Sequence, residues 1–307
     1  MSNHILNAIS SRTDYLLKSK QRHHVDISQI KTVCLLLGPY RNLTTLTASI
    51  LALHPHCQVL NHAGERIFAN PKVNFLANYS DKTFEHFCRY ATAISAGGKR
   101  GDYGGSITLS HAFANHKRIK DRYEQRFGDS RLKENIHCLF WKESMRTSNM
   151  IRKKQVDLKS VFQQNEKIRF LMPIRNPLDC AISNMKNVHS KHFQFNNPTT
   201  ENVLDAIIQE IAWFIELKSA YPDRFFYFMQ HHFDEFTLKN LLEFLDLEPD
   251  QEWLDDAVAA YQLKQPYEYS TTLVKQFHMS LGKHLQNFPE IQKALLSFVS
   301  SYDESYE

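Results

Sequence analysis

Residues 31–55 constrain the fold more than any other stretch. They read Lys-Thr-Val-Cys-Leu-Leu-Leu-Gly-Pro-Tyr-Arg-Asn-Leu-Thr-Thr-Leu-Thr-Ala-Ser-Ile-Leu-Ala-Leu-His-Pro. Residues 33–37 are a short apolar run without polar alternation, closed by Gly38-Pro39, which is how a strand buried on both faces reads. From Thr44 the spacing turns helical: Leu46, Ile50 and Leu53 share a face, and Pro55 ends the helix. The loop Gly38–Leu43 then lies where a helix N-terminus presents unpaired N–H groups and positive potential. Thr44 and Thr45 add hydroxyl donors and Arg41 a fixed charge, so the stretch predicts an anion site; an ordinary βα turn with an incidental arginine is the plain alternative. Laid on G-x-x-x-x-G-K-[ST], Gly38 fits, but Leu43 and Thr44 stand where the second Gly and the Lys belong. The apparatus for a γ-phosphate and magnesium is therefore missing.

The 307 residues can bury a sizeable core around such a unit, and no linker divides them. The expectation is one domain over 1–307, with an N-terminal helical extension over 1–30 and an insertion over 69–133. An apolar content of 42% suits a globular protein, and no segment approaches a membrane span. The first thirty residues are polar, without the apolar core of a secretory signal or anchor, so a cytoplasmic location is expected. Cys34, Cys57, Cys88, Cys138 and Cys180 are odd in number and mostly within apolar runs, which predicts buried thiols rather than disulfides. The net charge of +4 favours anionic ligands slightly, but without arginine-rich aromatic stretches nucleic acid is not an expected partner. The sixteen histidines form no ligand set at metal spacing, and no metal is expected.

Along the chain, Ile5, Ile9 and Leu16 are loosely periodic and predict a helix packed on the domain edge. Residues 58–60 read as a second strand, followed by Asn61-His62-Ala63-Gly64-Glu65. Residues just past the carboxyl end of a parallel strand face the ligand crevice, which makes Glu65 and His62 the nearest candidates for a general base. A carboxylate that merely offsets a helix dipole is the plain alternative for Glu65. Helices are expected over 84–93 and 116–127, the second with a basic run taken as a solvated face, and a mobile surface loop over 97–105. Residues 135–141 form a strand that delivers Lys142-Glu143-Ser144 to the same edge. The strand 167–174 runs into Arg175-Asn176-Pro177, where Asn176 suits the N-cap and Pro177 the first helical position. Arg175 and Ser183 are spaced to reach one anion. A helix over 201–220, a strand over 224–229, helices over 236–247 and 253–263 and a polar tail with Gly282-Lys283-His284 follow. Strands alternating with helices predict an α/β fold with a doubly wound, mostly parallel sheet.

Two stretches together resemble the sulfotransferases that use 3′-phosphoadenosine-5′-phosphosulfate (PAPS). Residues 38–46 resemble the family's Pro-[Lys/Arg]-Ser-Gly-Thr-Thr loop, and 170–183 its Arg-[Asn/Asp]-Pro-x-Asp segment with a serine eight residues beyond the arginine. Residues 226–247 and, weakly, 282–284 resemble later segments. The resemblance implies a P-loop-like sulfotransferase architecture and transfer of a sulfuryl group from PAPS, as co-substrate, to a hydroxyl on a carbohydrate, lipid, small molecule or peptide. It implies that Arg41, Asn42, Thr44 and Thr45 hold the 5′-phosphosulfate, that Arg175 and Ser183 hold the 3′-phosphate, that Lys283 adds a further contact, and that 69–133 lie on the acceptor side. Arg41 would also stabilise the leaving phosphate, with Glu65 or His62 as base. Leu43 replaces the loop's glycine and Asn42 its serine. The expectation is that Leu43 keeps a negative φ as part of the helix start. A catalytically inactive nucleotide- or partner-binding fold is the alternative, and a P-loop kinase is disfavoured by the missing lysine.

Overall fold

The computed structural model describes residues 13, 15–18, 25–98, 104–263 and 265–299. Ile5 and Ile9 of the expected N-terminal helix lie outside the described residues, as do 99–103 of the glycine-rich loop. Leu16 is exposed rather than packed, whereas Tyr15 is buried.

In chain order the elements are β1 (Thr32–Leu36), α1 (Thr44–Leu51), β2 (Cys57–Asn61), α2 (Gly64–Phe68), α3 (Asp81–Ser95), β3 (Gly105–Ser106), α4 (His111–Ala114), α5 (Lys117–Phe127) and β4 (Cys138–Lys142). They continue with α6 (Met145–Lys154), α7 (Leu158–Gln164), β5 (Ile168–Ile174), α8 (Pro177–Lys186), α9 (Thr200–Ala220), β6 (Phe225–Met229), α10 (Glu235–Phe244), α11 (Gln251–Ala260), α12 (Thr271–His284) and α13 (Pro289–Leu296). The strands form one sheet in the order β3-β2-β4-β1-β5-β6, an α/β architecture. β1 pairs in parallel with β4 and β5, β2 in parallel with β4, and β3 runs antiparallel to β2. The chain passes from β1 to β2 on one side while β5 lies on the other, so the order reverses at β1, the position at which open sheets of this kind leave a crevice.

The chain divides into two compact units, the border falling within β5 after Leu171. The first holds residues up to Leu37, Thr44–Leu171 and Phe233–Gln262. Its central strands are apolar apart from Thr32 at the start of β1 and Lys142 at the end of β4, because both faces are covered: every residue of β1 and β4 is buried. Carbonyls at the end of α1 and in the turn from it into β2 are supplied by side chains. Trp253 Nε1 donates to Ile50 O at 2.9 Å, and the Lys133 ammonium donates to Ala52 O, His54 O and Cys57 O at 2.5, 2.6 and 2.7 Å. Two of the five basic residues on α5 are paired on a solvated face, Lys117 with Asp121 and Lys120 with Glu124. Arg122 and Arg126 are different: both bind the buried Asp256 of α11, at 2.9 and 3.1 Å, and hold the two helices together. All five cysteines are buried and free. The expected strand over 135–141 begins only at Cys138, because Asn135 takes a positive φ of 51° that interrupts the extension.

The second unit holds Gly38–Leu43, Met172–His232 and the residues from Leu263 onward. Here α9 packs on α8 and α12. The expected polar tail is wrong: Gly282-Lys283-His284 is the last turn of α12. Ser270 caps that helix by accepting from Leu273 N–H, and Leu273, Phe277 and Leu281 are buried, which outweighs the cost of about 1 kcal/mol for one helical glycine.

His54 follows α1 and is buried at 1% exposure. Its Nδ1 accepts from His56 N–H at 3.2 Å, so Nε2–H donates to Glu248 O at 3.1 Å and the ring is held neutral. Burial lowers its pKa to about 4 from an ordinary 6.5. The unfolded chain therefore gains a proton first as pH falls, so the stabilisation is full above about pH 6.5 and is lost progressively towards pH 4, on the order of 3 kcal/mol in total. Urea unfolding of wild type and His54→Gln is expected to show a stability difference that shrinks between pH 7 and pH 4.5. A difference constant with pH would assign the acid lability to other groups.

Candidate functional site

The loop Gly38–Leu43 is fixed by side chains of the second unit. Tyr40 O accepts from Asn184 Nδ2 at 2.8 Å. Asn42 is buried and uses both ends of its amide: Nδ2 donates to Pro173 O, and Oδ1 accepts from Arg175 N–H at 2.8 Å. Arg41 and Leu43 both take positive φ, 63° and 59°. The expectation of a negative φ at Leu43 is overturned. The Asn42 bonds fix the chain one residue earlier, and the left-handed conformation that carries it into α1 costs about 1–2 kcal/mol for a side chain like leucine. Positive φ on either side of Asn42 alternates the backbone through 41–44, and such alternation turns successive N–H groups into a concavity suited to an anion.

Arg41 is exposed, and its Nε donates to Ser183 Oγ at 2.9 Å. Ser183 is buried on the second turn of α8, whose start is as the sequence predicts: Asn176 caps it by accepting from Leu178 N–H at 3.0 Å, with Pro177 first in the helix. Arg175 turns to Asp179 at 3.2 Å. Asp179 also accepts from Tyr267 N–H and Tyr269 O–H, both at 2.9 Å. The structure thus brings Arg41, Asn42, Arg175 and Ser183 together, with Ser183 on Arg41 and Asp179 on Arg175. Thr44 and Thr45 open α1 directly after the loop. Lys283 is engaged elsewhere, pairing at 3.2 Å with Asp205 of α9, which also accepts from Ser280 at 2.8 Å.

In the first unit, a second group follows β2 and β4. His62 and Ala63 have φ of 60° and 78°, and Trp141 Nε1 donates to His62 O at 2.6 Å. His62 Nε2 lies 3.3 Å from the Lys142 ammonium and accepts from it, which fixes the neutral ring. Glu65 sits in the first turn of α2 and pairs with Arg146 of α6 at 3.0 Å. Behind it stands Glu143, 0% exposed, to which sequence reasoning assigned no role. Its Oε2 accepts from Gly64 N–H at 2.8 Å, and its Oε1 lies 3.6 Å from Arg146. A Cβ on residue 64 would stand 2.7 Å from the Glu143 carboxyl carbon, so any larger residue there would displace the Glu143 carboxylate. Burial raises the Glu143 pKa to about 7, against the opposing pull of Arg146, the Gly64 N–H and Lys142. The available sequence signal was a carboxylate directly after an apolar strand that ends at the same edge as β2.

Among the described residues no cluster of three or more His, Cys, Asp or Glu is placed to hold a metal ion, and no helix is long and apolar enough to cross a membrane. No family model matches the sequence, and no curated protein does. Among solved structures, the chain is similar to mouse sulfotransferase SULT7A1 complexed with PAP, at 9% identity and a TM-score of 0.42, over 93% of this chain and 95% of that one. It is similar to sulfotransferase STF9 from Mycobacterium avium, at 11% identity and a TM-score of 0.44, over 90% of this chain and 81% of that one. The sulfotransferase domain from the curacin biosynthetic pathway is similar at 12% identity and a TM-score of 0.40, over 77% of this chain and 80% of that one.

The left-handed Leu43 gives a direct test of the loop. Leu43→Gly relieves strain of about 1–2 kcal/mol against an entropic cost of roughly 0.5–1 kcal/mol, so its stability to urea should equal or slightly exceed that of wild type. Leu43→Val places a β-branched side chain at positive φ and should lose more than about 1 kcal/mol. Equal stability of the Val variant and wild type would mean that the loop does not hold this conformation.

Proposed function

We propose that the protein is a sulfotransferase that moves a sulfuryl group from PAPS to a hydroxyl-bearing acceptor. The observation that carries the reading is the Asn42 amide, which ties the loop bearing Arg41 to the start of the segment bearing Arg175. A donor with phosphate groups on both its 5′ and 3′ positions needs two cationic positions a fixed distance apart, and two arginines locked to one another through a buried amide meet that need. The residues fit such a group: Arg41, the alternating backbone at 41–44 and the hydroxyls of Thr44 and Thr45 suit the 5′ end, and Arg175 the 3′ end, while Ser183, expected beside Arg175 at the 3′-phosphate, is bonded to Arg41 instead. Asn42 serves by positioning, since both ends of its side chain are used within the protein.

When bound, PAPS supplies a sulfuryl group on a phosphate leaving group. The protein's part is positioning and charge stabilisation, as in phosphoryl transfer. Arg41 offsets negative charge on the leaving oxygen. Glu65 takes the proton of the acceptor hydroxyl, and the neutral His62 is the alternative base. Carbohydrate, lipid, small-molecule and peptide hydroxyls all satisfy this chemistry. A catalytically inactive nucleotide-binding protein is the second reading, favoured by the pairing of Glu65 with Arg146 at 3.0 Å, which engages one oxygen of the candidate base within the protein.

Adenosine 3′,5′-bisphosphate at a hundredfold excess over its Kd should stabilise the protein by about 2.7 kcal/mol and raise Tm by several degrees. The expected shift with 5′-AMP is much smaller, and Arg175→Ala should remove the difference. Equal shifts with both nucleotides would remove Arg175 from the 3′-phosphate.

For the base, Glu65→Gln is expected to lower kcat by about 10²- to 10⁴-fold with nucleotide binding nearly intact. A large loss in His62→Ala with a mild effect in Glu65→Gln would move the role to His62, and nucleotide binding without any sulfuryl transfer would favour the second reading.

A further inference from the structure

We propose that Tyr269 is a positioning residue for Arg175, acting through Asp179, and that it thereby sets how well the site distinguishes a 3′-phosphate. The second clause rests on the sulfotransferase reading. Arg175 and Asp179 lie one turn apart where β5 passes into α8, and the guanidinium is held at two points. Its Nη2 donates to Asp179 Oδ2 at 3.2 Å and its Nη1 to Arg41 O at 3.4 Å. The other oxygen of the same carboxylate, Oδ1, accepts from Tyr269 O–H and from Tyr267 N–H, both at 2.9 Å. The Tyr269 hydroxyl in turn accepts from Asn176 Nδ2 at 3.0 Å. Arg175 and Asn176 are neighbours in the chain, so the bonds close into a ring that runs from Arg175 through Asp179 and Tyr269 to Asn176. Tyr269 is the member of that ring that comes from outside residues 175–179.

The ring is anchored from elsewhere. Asn176 is committed through Oδ1 to Leu178 N–H and through its own N–H to Gln230 Oε1 at 3.1 Å. Tyr269 directly precedes Ser270, the cap of α12, so its place follows from where that helix starts. Asp179 is buried, and with Oδ1 held by two donors its carboxylate cannot turn, which keeps Oδ2 on Arg175. To fasten residues 265–270 to α8, the bond from Tyr267 N–H would serve. The Tyr269 hydroxyl adds a second donor to the same oxygen and ties it to the helix cap, so its effect falls on the orientation of the carboxylate and, through that, of the guanidinium. Arg175 spends one N–H of each terminal nitrogen within the protein, which leaves Nε–H and the remaining terminal N–H groups in a fixed plane. A guanidinium held in this way meets a phosphate with its fork already oriented, at a lower entropic cost than a mobile side chain.

NMR of the full chain labelled with ¹⁵N at arginine reads Arg175 directly, with Arg175→Lys to assign its signals. In wild type the terminal N–H groups of Arg175 are expected to give separate signals, because the bonds to Asp179 and Arg41 O hinder rotation of the guanidinium. In Tyr269→Phe, which removes one oxygen and keeps the ring, they should broaden and merge. Tyr267→Phe is the control on the same segment, since Tyr267 reaches Asp179 through its backbone, and it should match wild type. Calorimetric titration supplies the second readout. Tyr269→Phe should raise the Kd of adenosine 3′,5′-bisphosphate about five- to tenfold, the scale of one lost hydrogen bond, and leave the Kd of 5′-AMP unchanged. Asp179→Asn should weaken the bisphosphate as well, and adding Tyr269→Phe to it should cost nothing further. Arg175 signals in Tyr269→Phe identical to those of wild type, or a loss of bisphosphate binding that adds in full to that of Asp179→Asn, would overturn the proposal. Arg175 signals that merge in Tyr269→Phe while wild type binds neither nucleotide would instead remove the sulfotransferase reading and leave the positioning role standing.

Discussion

The buried amide of Asn42 is the interaction on which the rest of the loop geometry depends. Both ends of the side chain are bonded to the segment around the end of β5, to Pro173 O and Arg175 N–H, so any shift of the loop strands two buried polar groups at about 1–3 kcal/mol each. That cost exceeds the strain of holding Leu43 at positive φ, which is why a branched side chain is tolerated where a glycine would be unstrained. With the loop fixed, Arg41 meets Ser183, and Arg175 leaves its strand beside the acidic Asp179. The two guanidinium groups are thereby preorganised by neutral and acidic partners rather than left to repel each other.

Left-handed backbone recurs after β1, β2 and β4, at Arg41, Leu43, His62, Ala63 and Ser144. Such conformations cost of the order of 1–3 kcal/mol each and persist where surrounding bonds over-determine them. The bonds are identifiable here: Trp141 Nε1 on His62 O, Glu143 on Gly64 N–H, and Asn42 on the first loop. Strain is thus concentrated at the segments that carry Arg41, His62 and Glu65, while β1 and β4 themselves are regular and fully buried.

Electrostatics at the β2 and β4 ends follows from unequal burial. Arg146 faces two carboxylates, one at the surface and one with no exposure, so the same guanidinium has two partners with different costs of ionisation. Neither carboxylate can be understood from its own position alone.

Much of the architecture was legible in the chain. The apolar runs of β1 and β5, the helical spacing after Thr44 and the Asn176-Pro177 cap are local signals, and local sterics and hydrogen bonding decide them. The two-residue β3 carries too few positions for any period to register, and the last turn of α12 was hidden by a glycine whose cost only burial against α9 offsets. The sequence by itself determined the α/β alternation, the ends of the central strands and the presence of Arg41, Glu65 and Arg175 beside them. Only the tertiary structure decided that Asn42 bonds inward, that Leu43 is left-handed, that Ser183 serves Arg41, and that Glu143 and Glu65 share Arg146. Those outcomes are set by partners from about 80 to more than 140 residues away in the chain, and the energy of such a bond depends on burial and distance, neither of which a local pattern encodes.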